Sequence, residues 1–150
     1  MPGTYSQILL HVVFATKGRT PFIKPGIQTR LCNYIGGIVR AEKGTLYAIG
    51  GMADHVHLLL RWRTDRAVAD LMRTVKARSS RWVHQTFADA ASFAWQEGYA
   101  VFSVSKSAES DVKRYIENQP EQHTKRDFRK ELLALLRAHG VDFDERYVFD

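Results

Sequence analysis

Residues 45–62 read TLYAIGGMADHVHLLLRW, and this stretch decides the fold. Two runs with the composition of β-strands, Thr45 to Met52 and His55 to Trp62, are separated only by Ala53-Asp54, which is the spacing of a β-hairpin. Because alternate side chains on a strand point to the same face, His55 and His57 are aimed in one direction. Imidazoles on a dry face need partners, so this pattern leaves both metal ligation and a hydrogen-bonded core pair open.

The rest of the chain supplies elements on both sides of this hairpin. Before it, hydrophobic spacing and turn residues predict a strand from Ile8 to Ala15 and a helix between Pro25-Gly26 and Lys43-Gly44. After it, they predict a long helix from just after Asp65 to near Phe87, a strand from Tyr99 to Val104, a helix toward Gln119, and a helix from about Asp127 to His139. The order β-α-β-β-α-β with appended helices predicts an α+β, ferredoxin-like (RRM-like) sandwich with an antiparallel sheet and a central histidine strand.

Two boundary expectations accompany these elements. The helix toward Gln119 has Ser105, Ser107 and Ser110 as candidate N-caps, and Pro120 should stop or kink it. The tail from Val141 to Asp150 should be extended.

The composition limits the class of protein. The chain has 150 residues, 45% hydrophobic and 25% charged, as in an ordinary globular domain. Its net charge of +6 favours a polyanionic partner, with nucleic acid ahead of an anionic membrane. Cys32 is its single cysteine, so neither an internal disulfide nor a multi-cysteine zinc site can form. The apolar runs are shorter than a membrane span and no signal segment is visible, which predicts a soluble cytoplasmic protein.

The predicted helix SAESDVKRYIENQ, residues 107–119, carries a second pattern. Val112 and Ile116 form an apolar stripe, and Tyr115 and Gln119 form a polar stripe with the same spacing. A phenol and an amide therefore share one face. Taken alone, this pattern is also typical of a tyrosine packed beside the core and a solvated glutamine.

Across nearly its whole length, the chain resembles the single-tyrosine HUH transposases of the insertion sequence 200/605 family. The resemblance rests on an ordered set of motifs: an N-terminal strand with His11 and Phe14, Asp54-His55-Val56-His57, Trp95-Gln96-x-Gly98-Tyr99, Phe102-Ser103-Val104-Ser105, Tyr115-Ile116-x-Asn118-Gln119, and His139-Gly140 followed by Asp144-Glu145-Arg146-Tyr147. The chain departs from the usual pattern at Ala100, where glycine is common, and at Gln122-His123, where two histidines often lie. These departures touch neither the histidine pair nor the tyrosine.

The resemblance implies one transposase domain over residues 1–150 that cleaves and rejoins single-stranded DNA at the ends of a mobile element. His55 and His57 would bind a divalent metal, Mg²⁺ or Mn²⁺, with Gln119 as the third ligand. Two imidazoles are softer ligands than Mg²⁺ prefers, which favours Mn²⁺. Tyr115 would attack the scissile phosphorus and form a 5′-phosphotyrosine that a new 3′-hydroxyl can reverse. The sequence does not identify the base that helps this phenol lose its proton.

Pro120 counts against Gln119 as a ligand, because proline biases the preceding residue away from helical geometry. Asn118 and His123 are the alternative third ligands. Of the other histidines, His11 is expected near the central site, and neither His84 nor His139 is assigned a role.

DNA contacts are expected on the long basic helix and the sheet region near it. The candidate phosphate contacts are Arg73, Lys76, Arg78 and Arg81, and the candidate base-stacking partners are Trp62, Trp82 and Tyr99. A solvated basic face with core aromatics is the alternative for each of them. The resemblance further implies single-stranded DNA with subterminal hairpins as the partner, a homodimer, and a prokaryotic, nucleoid-associated location.

Other functions stay open at this point. A domesticated or inactive relative would act as a non-catalytic nucleic-acid-binding module, although the paired aromatic strand motifs of common RNA binders are missing. A two-histidine RNA phosphodiesterase needs two separated His-x-Thr/Ser elements, whereas the chain has one His-x-His. A domesticated enzyme that processes chromosomal repeats would keep the same site residues.

Overall fold

The structure is a computed structural model that describes residues 3–120 and 127–148. In these ranges, the strands are β1 (Leu9–Ala15), β2 (Thr45–Met52), β3 (His55–Arg61) and β4 (Ala100–Val104), and the helices are α1 (Pro25–Ala41), α2 (Val68–Thr86), α3 (Glu109–Glu117) and α4 (Phe128–Ala138). The strands form one antiparallel sheet in the order β2-β3-β1-β4. The predicted ferredoxin-like arrangement is therefore confirmed, including the central position of the histidine strand β3.

The two faces of this sheet differ in chemistry because alternate residues of β1 and β3 point in opposite directions. One face is apolar and packs against α1 and α2 through residues that include Val12, Phe14, Leu58 and Leu60. The opposite face carries the histidines and is covered by α3 and α4. The main core thus supports the sheet from one side and leaves the other side for a polar site.

Helix α3 lies unusually close to the edge strand β2 because Gly50 has no side chain. A Cβ atom at Gly50 would overlap the carbonyl oxygen of Ile116 on α3. Gly50 is also the register partner of His57 on β3. The absence of a side chain at this position brings the helix that carries Tyr115 over the histidine pair.

Helix α4 is held over the same face by its first turn and by its apolar stripe. The Asp127 carboxylate accepts a hydrogen bond from the Lys130 backbone N–H at 2.9 Å, which caps the helix. The Phe128 ring stacks on the His55 ring with centroids 4.1 Å apart. At the other end, Gly140 adopts a φ of +65°, the left-handed conformation that commonly follows a helix. The first turn of α4 therefore lies directly against the site.

Two boundary predictions are wrong, the serine N-cap of α3 and the extended C-terminal tail. The N-cap of α3 is Ala108, at the end of a 3₁₀ turn (Lys106–Ala108), so none of the three serines caps that helix. The expected break before Pro120 is present: helix α3 ends at Glu117, and the backbone is helical again at residues 119–120. Residues 145–148 form a turn where an extended tail was expected. Within the described ranges, every helix is too short or too polar to cross a membrane.

Candidate metal and tyrosine site

His55 and His57 form the centre of the candidate site. Both side chains are fully buried, and their ring centroids lie 5.1 Å apart. The Nε2 atoms of both rings face α4, where the Oε1 atom of Glu131 lies 3.5 Å from His55 Nε2 and 3.0 Å from His57 Nε2. The two imidazoles therefore converge on one point, as the strand periodicity predicted.

The outer nitrogen of each imidazole also has a partner. His55 Nδ1 lies 2.7 Å from Asp54 Oδ1, and His57 Nδ1 lies 2.8 Å from His11 Nε2. Partners of this kind fix the orientation of metal-binding histidines in proteins. The arrangement leaves the Nε2 atoms of both rings directed at the convergent point.

His11 is the buried histidine of the first strand. Burial lowers the pKa of its imidazole most, the charges of His57 and His139 also lower it, the Glu131 carboxylate opposes them, and the resulting pKa is about 3. His11 is therefore neutral at physiological pH. It contacts a proposed metal ligand from β1, the strand from which a contribution to the site was expected.

Tyr115 and Gln119 reach the same point from α3 and the residues that follow it. Gln119 is fully buried, with its Oε1 atom 2.9 Å from His55 Nε2. Its Nε2 atom donates to Glu131 Oε2 at 3.2 Å. The Tyr115 hydroxyl donates to the same Oε2 atom. Although α3 has ended before Gln119, the polar stripe predicted from the sequence reaches the histidine pair.

The alternative third ligands do not share this placement. Asn118 is exposed at the C-cap of α3. His123 lies outside the described residues.

Glu131 on α4 is the site residue that sequence reasoning missed. Its side chain is fully buried, and the residues that donate hydrogen bonds to it include His57, Tyr115 and Gln119. Burial raises the pKa of its carboxyl, but the hydrogen bond and charge of His57, the Tyr115 hydroxyl and the charge of His55 together lower that pKa to about 2. Glu131 is therefore a carboxylate at neutral pH.

A signal for Glu131 was present in the sequence. Phe128, Leu132 and Leu135 define the apolar stripe of α4, and Glu131 lies within it at helical spacing. A charged residue on a buried helix face is rare unless it is paired. The chemistry of its partners, however, is visible only after folding.

The buried group of His55, His57 and Glu131 could bind a divalent metal. Each of the three side chains offers one ligand atom, and these atoms lie within 4.8 Å of one another. Two imidazoles with their outer nitrogens engaged, one carboxylate and one nearby amide oxygen form a donor set that suits a divalent transition-metal ion. The residues present therefore fit a metal centre.

A cavity of about 430 Å³ opens beside Tyr115. Its walls come from the end of β4, from α3 and from the C-terminal end of α4, and they include His11, Ser103, Ser105, Asp111 and His139. The His139 ring stacks on Phe102 with centroids 4.3 Å apart, and its Nδ1–H donates to the Leu135 carbonyl at 2.8 Å. Tyr115 is thus accessible from this cavity.

The structure separates the predicted DNA-contacting residues of α2 into two kinds. Lys76 donates to three backbone carbonyls of residues 96–98, including that of Gln96 at 2.8 Å, so it anchors the loop before β4. Arg73 pairs with Asp70 at 2.9 Å on the surface. Arg78 and Arg81 are exposed. These arginines, rather than Lys76, have the accessibility that phosphate contacts need.

The candidate stacking aromatics also differ. Trp62 is only 3% exposed and donates its indole N–H to the Arg66 carbonyl, so its predicted availability for stacking on bases is wrong. Trp82 stacks on Tyr34 with centroids 4.7 Å apart. Tyr99 is 37% exposed, and the Lys76 ammonium lies 5.7 Å from its ring centroid. Tyr99 is the most exposed of the three aromatic residues.

Comparison with known proteins places this chain among transposases. The family described as "Transposase IS200 like" matches residues 4–119. The ISDra2 transposase TnpA of Deinococcus radiodurans is 23% identical over 122 residues, which cover 78% of this chain and 87% of that protein.

Solved structures show the same likeness. A crystal structure of a protein assigned as a transposase from Deinococcus radiodurans R1 has 26% identity and a TM-score of 0.64, covering 79% of this chain and 95% of that one. The structure of the REP-associated tyrosine transposase bound to a REP hairpin has 14% identity and a TM-score of 0.60, covering 82% of this chain and 73% of that one. The latter likeness is one of fold.

Proposed function

Because the chain belongs to the family of IS200-like transposases, we propose that it cleaves and rejoins single-stranded DNA through attack by Tyr115. One observation carries this proposal: the Tyr115 hydroxyl shares the Glu131 carboxylate with His57, within a buried cluster that fits a divalent metal. A nucleophile and a metal site in contact are what metal-assisted phosphoryl transfer requires.

The proposed metal ligands are His55, His57 and Gln119, with Mg²⁺ or Mn²⁺ as the ion. When bound, the metal would polarise a phosphoryl oxygen and offset the charge that develops during attack. Asp54 and His11 would hold the two imidazole rings in the orientation that exposes their Nε2 atoms.

The covalent step proceeds by exchange at phosphorus. The Tyr115 oxygen forms a bond to the scissile phosphorus as the bond to the 3′-oxygen breaks, and the phenol proton is lost while the departing 3′-oxygen gains one. The products are a 5′-phosphotyrosine and a free 3′-hydroxyl. Attack by another 3′-hydroxyl reverses the step and joins new ends without an external energy source.

We propose single-stranded DNA with subterminal hairpins as the partner. A REP hairpin is bound by the fold relative described above, and the net charge of +6 suits a phosphate backbone. Arg73, Arg78 and Arg81 would contact phosphates, and Tyr99 would stack on a base. A homodimer of single-domain protomers is part of the proposal, and light scattering at micromolar concentration tests it: a monomeric mass would contradict the dimer.

The proposed reaction is tested by covalent trapping. The protein is incubated with single-stranded oligonucleotides from its genomic flanks, with Mn²⁺, Mg²⁺ or chelator, and resolved on a denaturing gel. We expect a metal-dependent protein–DNA adduct that Tyr115→Phe abolishes. Tyr34→Phe is the matched control, because Tyr34 stacks on Trp82 between the helices of the other sheet face and should leave the adduct intact. DNA binding without any adduct would instead favour a non-catalytic binding module.

A further inference from the structure

We propose that Glu131 is a ligand of the divalent metal and also holds the Tyr115 hydroxyl beside that metal. This inference rests on the proposed function and adds a residue to its machinery. Glu131 lies on α4, beyond residues 4–119, which the family description matches. The metal centre would therefore be completed by a helix outside the matched region.

The two oxygens of the Glu131 carboxylate face different partners. Oε1 lies 3.0 Å from His57 Nε2 and 3.5 Å from His55 Nε2, which is the side on which a metal would sit. Oε2 accepts from the Tyr115 hydroxyl, and from Gln119 at 3.2 Å. One carboxylate thus spans the distance between the histidine pair and the nucleophile.

Charge and ligand hardness both favour Glu131 as a ligand. His55, His57 and Gln119 are neutral when they coordinate, and all three are fully buried. A divalent ion in a buried site of neutral ligands carries a large desolvation cost. A carboxylate oxygen lowers the net charge of the site, and it is the kind of ligand that Mg²⁺ and Mn²⁺ prefer.

The position of the carboxylate is set by the packing of α4. Phe128 stacks on the His55 ring, and Leu132 and Leu136 join Val13 and Phe102 in one apolar cluster. Asp127 caps the helix just before this turn. A ligand on a packed helix is held more accurately than one on a loop. A carboxylate that contacts both the metal and the Tyr115 hydroxyl would need this accuracy.

The test is Mn²⁺ binding to the metal-free full chain without DNA, measured by calorimetry and by the electron paramagnetic resonance signal of Mn²⁺. We expect Glu131→Gln to weaken Mn²⁺ binding by at least about tenfold, the lower end of the loss for groups that support a metal site. Glu117→Gln is the matched control, because Glu117 is exposed on α3 and pairs with Lys113 at 3.9 Å. It should bind Mn²⁺ as the wild type does.

A second measurement uses the unaltered protein, so that it does not depend on a variant that folds. Hydrogen exchange of the backbone amides of α4 is compared with and without Mn²⁺. Coordination by Glu131 would tie α4 to β3, so exchange in the first turns of α4 should slow when Mn²⁺ binds.

A third measurement addresses the tyrosine. At Mn²⁺ concentrations that saturate Glu131→Gln, adduct formation should remain at least about tenfold slower than in the wild type, because the hydroxyl loses the carboxylate that orients it. An adduct rate equal to that of the wild type would overturn the positioning role.

The outcomes separate this inference from the proposed function. Wild-type Mn²⁺ affinity in Glu131→Gln, with binding abolished in His57→Ala, would overturn Glu131 as a ligand and leave the histidine site intact. Mn²⁺ binding that leaves the exchange of α4 unchanged would also overturn it. A wild-type protein that binds no Mn²⁺, yet forms the Tyr115 adduct in chelator, would overturn the metal site of the proposed function as well.

Discussion

Replacing Gly50 with Ala should push α3 and Tyr115 away from the histidine pair. Gly50 is the register partner of His57, and a Cβ atom there would overlap the Ile116 carbonyl oxygen. A backbone carbonyl cannot rotate aside as a flexible side chain can. The helix must therefore retreat by on the order of 1 Å to restore an ordinary van der Waals contact.

The size of the effect follows from this displacement. Tyr115 adjoins Ile116 in the last turn of α3, so its hydroxyl moves with the helix. A misplacement of about 1 Å lowers a rate by on the order of 10²-fold, and overpacking costs about 1–3 kcal/mol of unfolding free energy. Mn²⁺ affinity should change less than the adduct rate, because His55 and His57 lie on β3 and Glu131 lies on α4, so that Gln119 is the one proposed ligand that follows α3.

The assay is single-turnover adduct formation on one cleavable oligonucleotide, with urea unfolding of the same preparations. Gly37→Ala is the control, because Gly37 lies within α1 and a Cβ atom there has no heavy atom within 4 Å. This variant should keep the wild-type rate and gain up to about 1 kcal/mol of stability, since alanine favours a helix. An adduct rate for Gly50→Ala within about twofold of the wild type would refute the idea that the depth of α3 positions the tyrosine.

Further predictions concern pH, the basic helix and the α4 cap. His11 has a pKa of about 3 in the folded state against an ordinary 6.5, so as the pH falls the unfolded state binds a proton at this residue first. In chelator, the free energy of unfolding should therefore decrease below about pH 6.5 by up to about 1.4 kcal/mol per pH unit. Urea unfolding from pH 6.5 to 5 should show a smaller decrease for His11→Gln than for the wild type, and an equal decrease would contradict the prediction. Lys76→Met should lose about 1–3 kcal/mol of unfolding free energy, because three carbonyl acceptors lose their charged donor. Arg81→Ala should change the free energy of unfolding by no more than about 0.5 kcal/mol and reduce by about 0.7 the slope of log affinity for single-stranded DNA against log salt concentration. Fluorescence anisotropy over a salt series measures that slope. A stability loss in Arg81→Ala together with a slope change in Lys76→Met would refute the separate roles of these two residues. Asp127→Ala should lose about 1 kcal/mol through the missing N-cap of α4, and urea unfolding that shows no loss would count against the cap.

The fold was predictable because its signals are local. Period-two runs such as that of β3 and helical spacing such as that of α1 depend on which side of an element meets the core. The wrong boundaries lie where several local options compete: three serines precede α3, yet the chain enters that helix through a 3₁₀ turn that ends at Ala108. A local pattern cannot rank such options, because each of the three serines fits the same short-range capping rule.

The same limit applies to the predicted contacts with nucleic acid. Tryptophan and lysine are residue types that stack on bases and contact phosphates, which is why Trp62 and Lys76 were predicted to contact nucleic acid. The structure buries the former and uses the latter to hold backbone carbonyls of residues 96–98. Whether a basic or aromatic side chain meets solvent depends on the loop that packs beside it, which hydrophobic periodicity does not report.

The sequence by itself determined that two imidazoles share one face of a central strand, because strand periodicity is a property of neighbouring residues. It also indicated that Tyr115 and Gln119 lie on one side of their segment. Only the tertiary structure decided that Glu131 joins them, since it is 74 positions from His57, and no local pattern encodes a contact at that separation. A buried carboxylate takes its chemistry from the groups that fold around it, so the contact of Glu131 with Tyr115 exists only when α4 packs on the sheet.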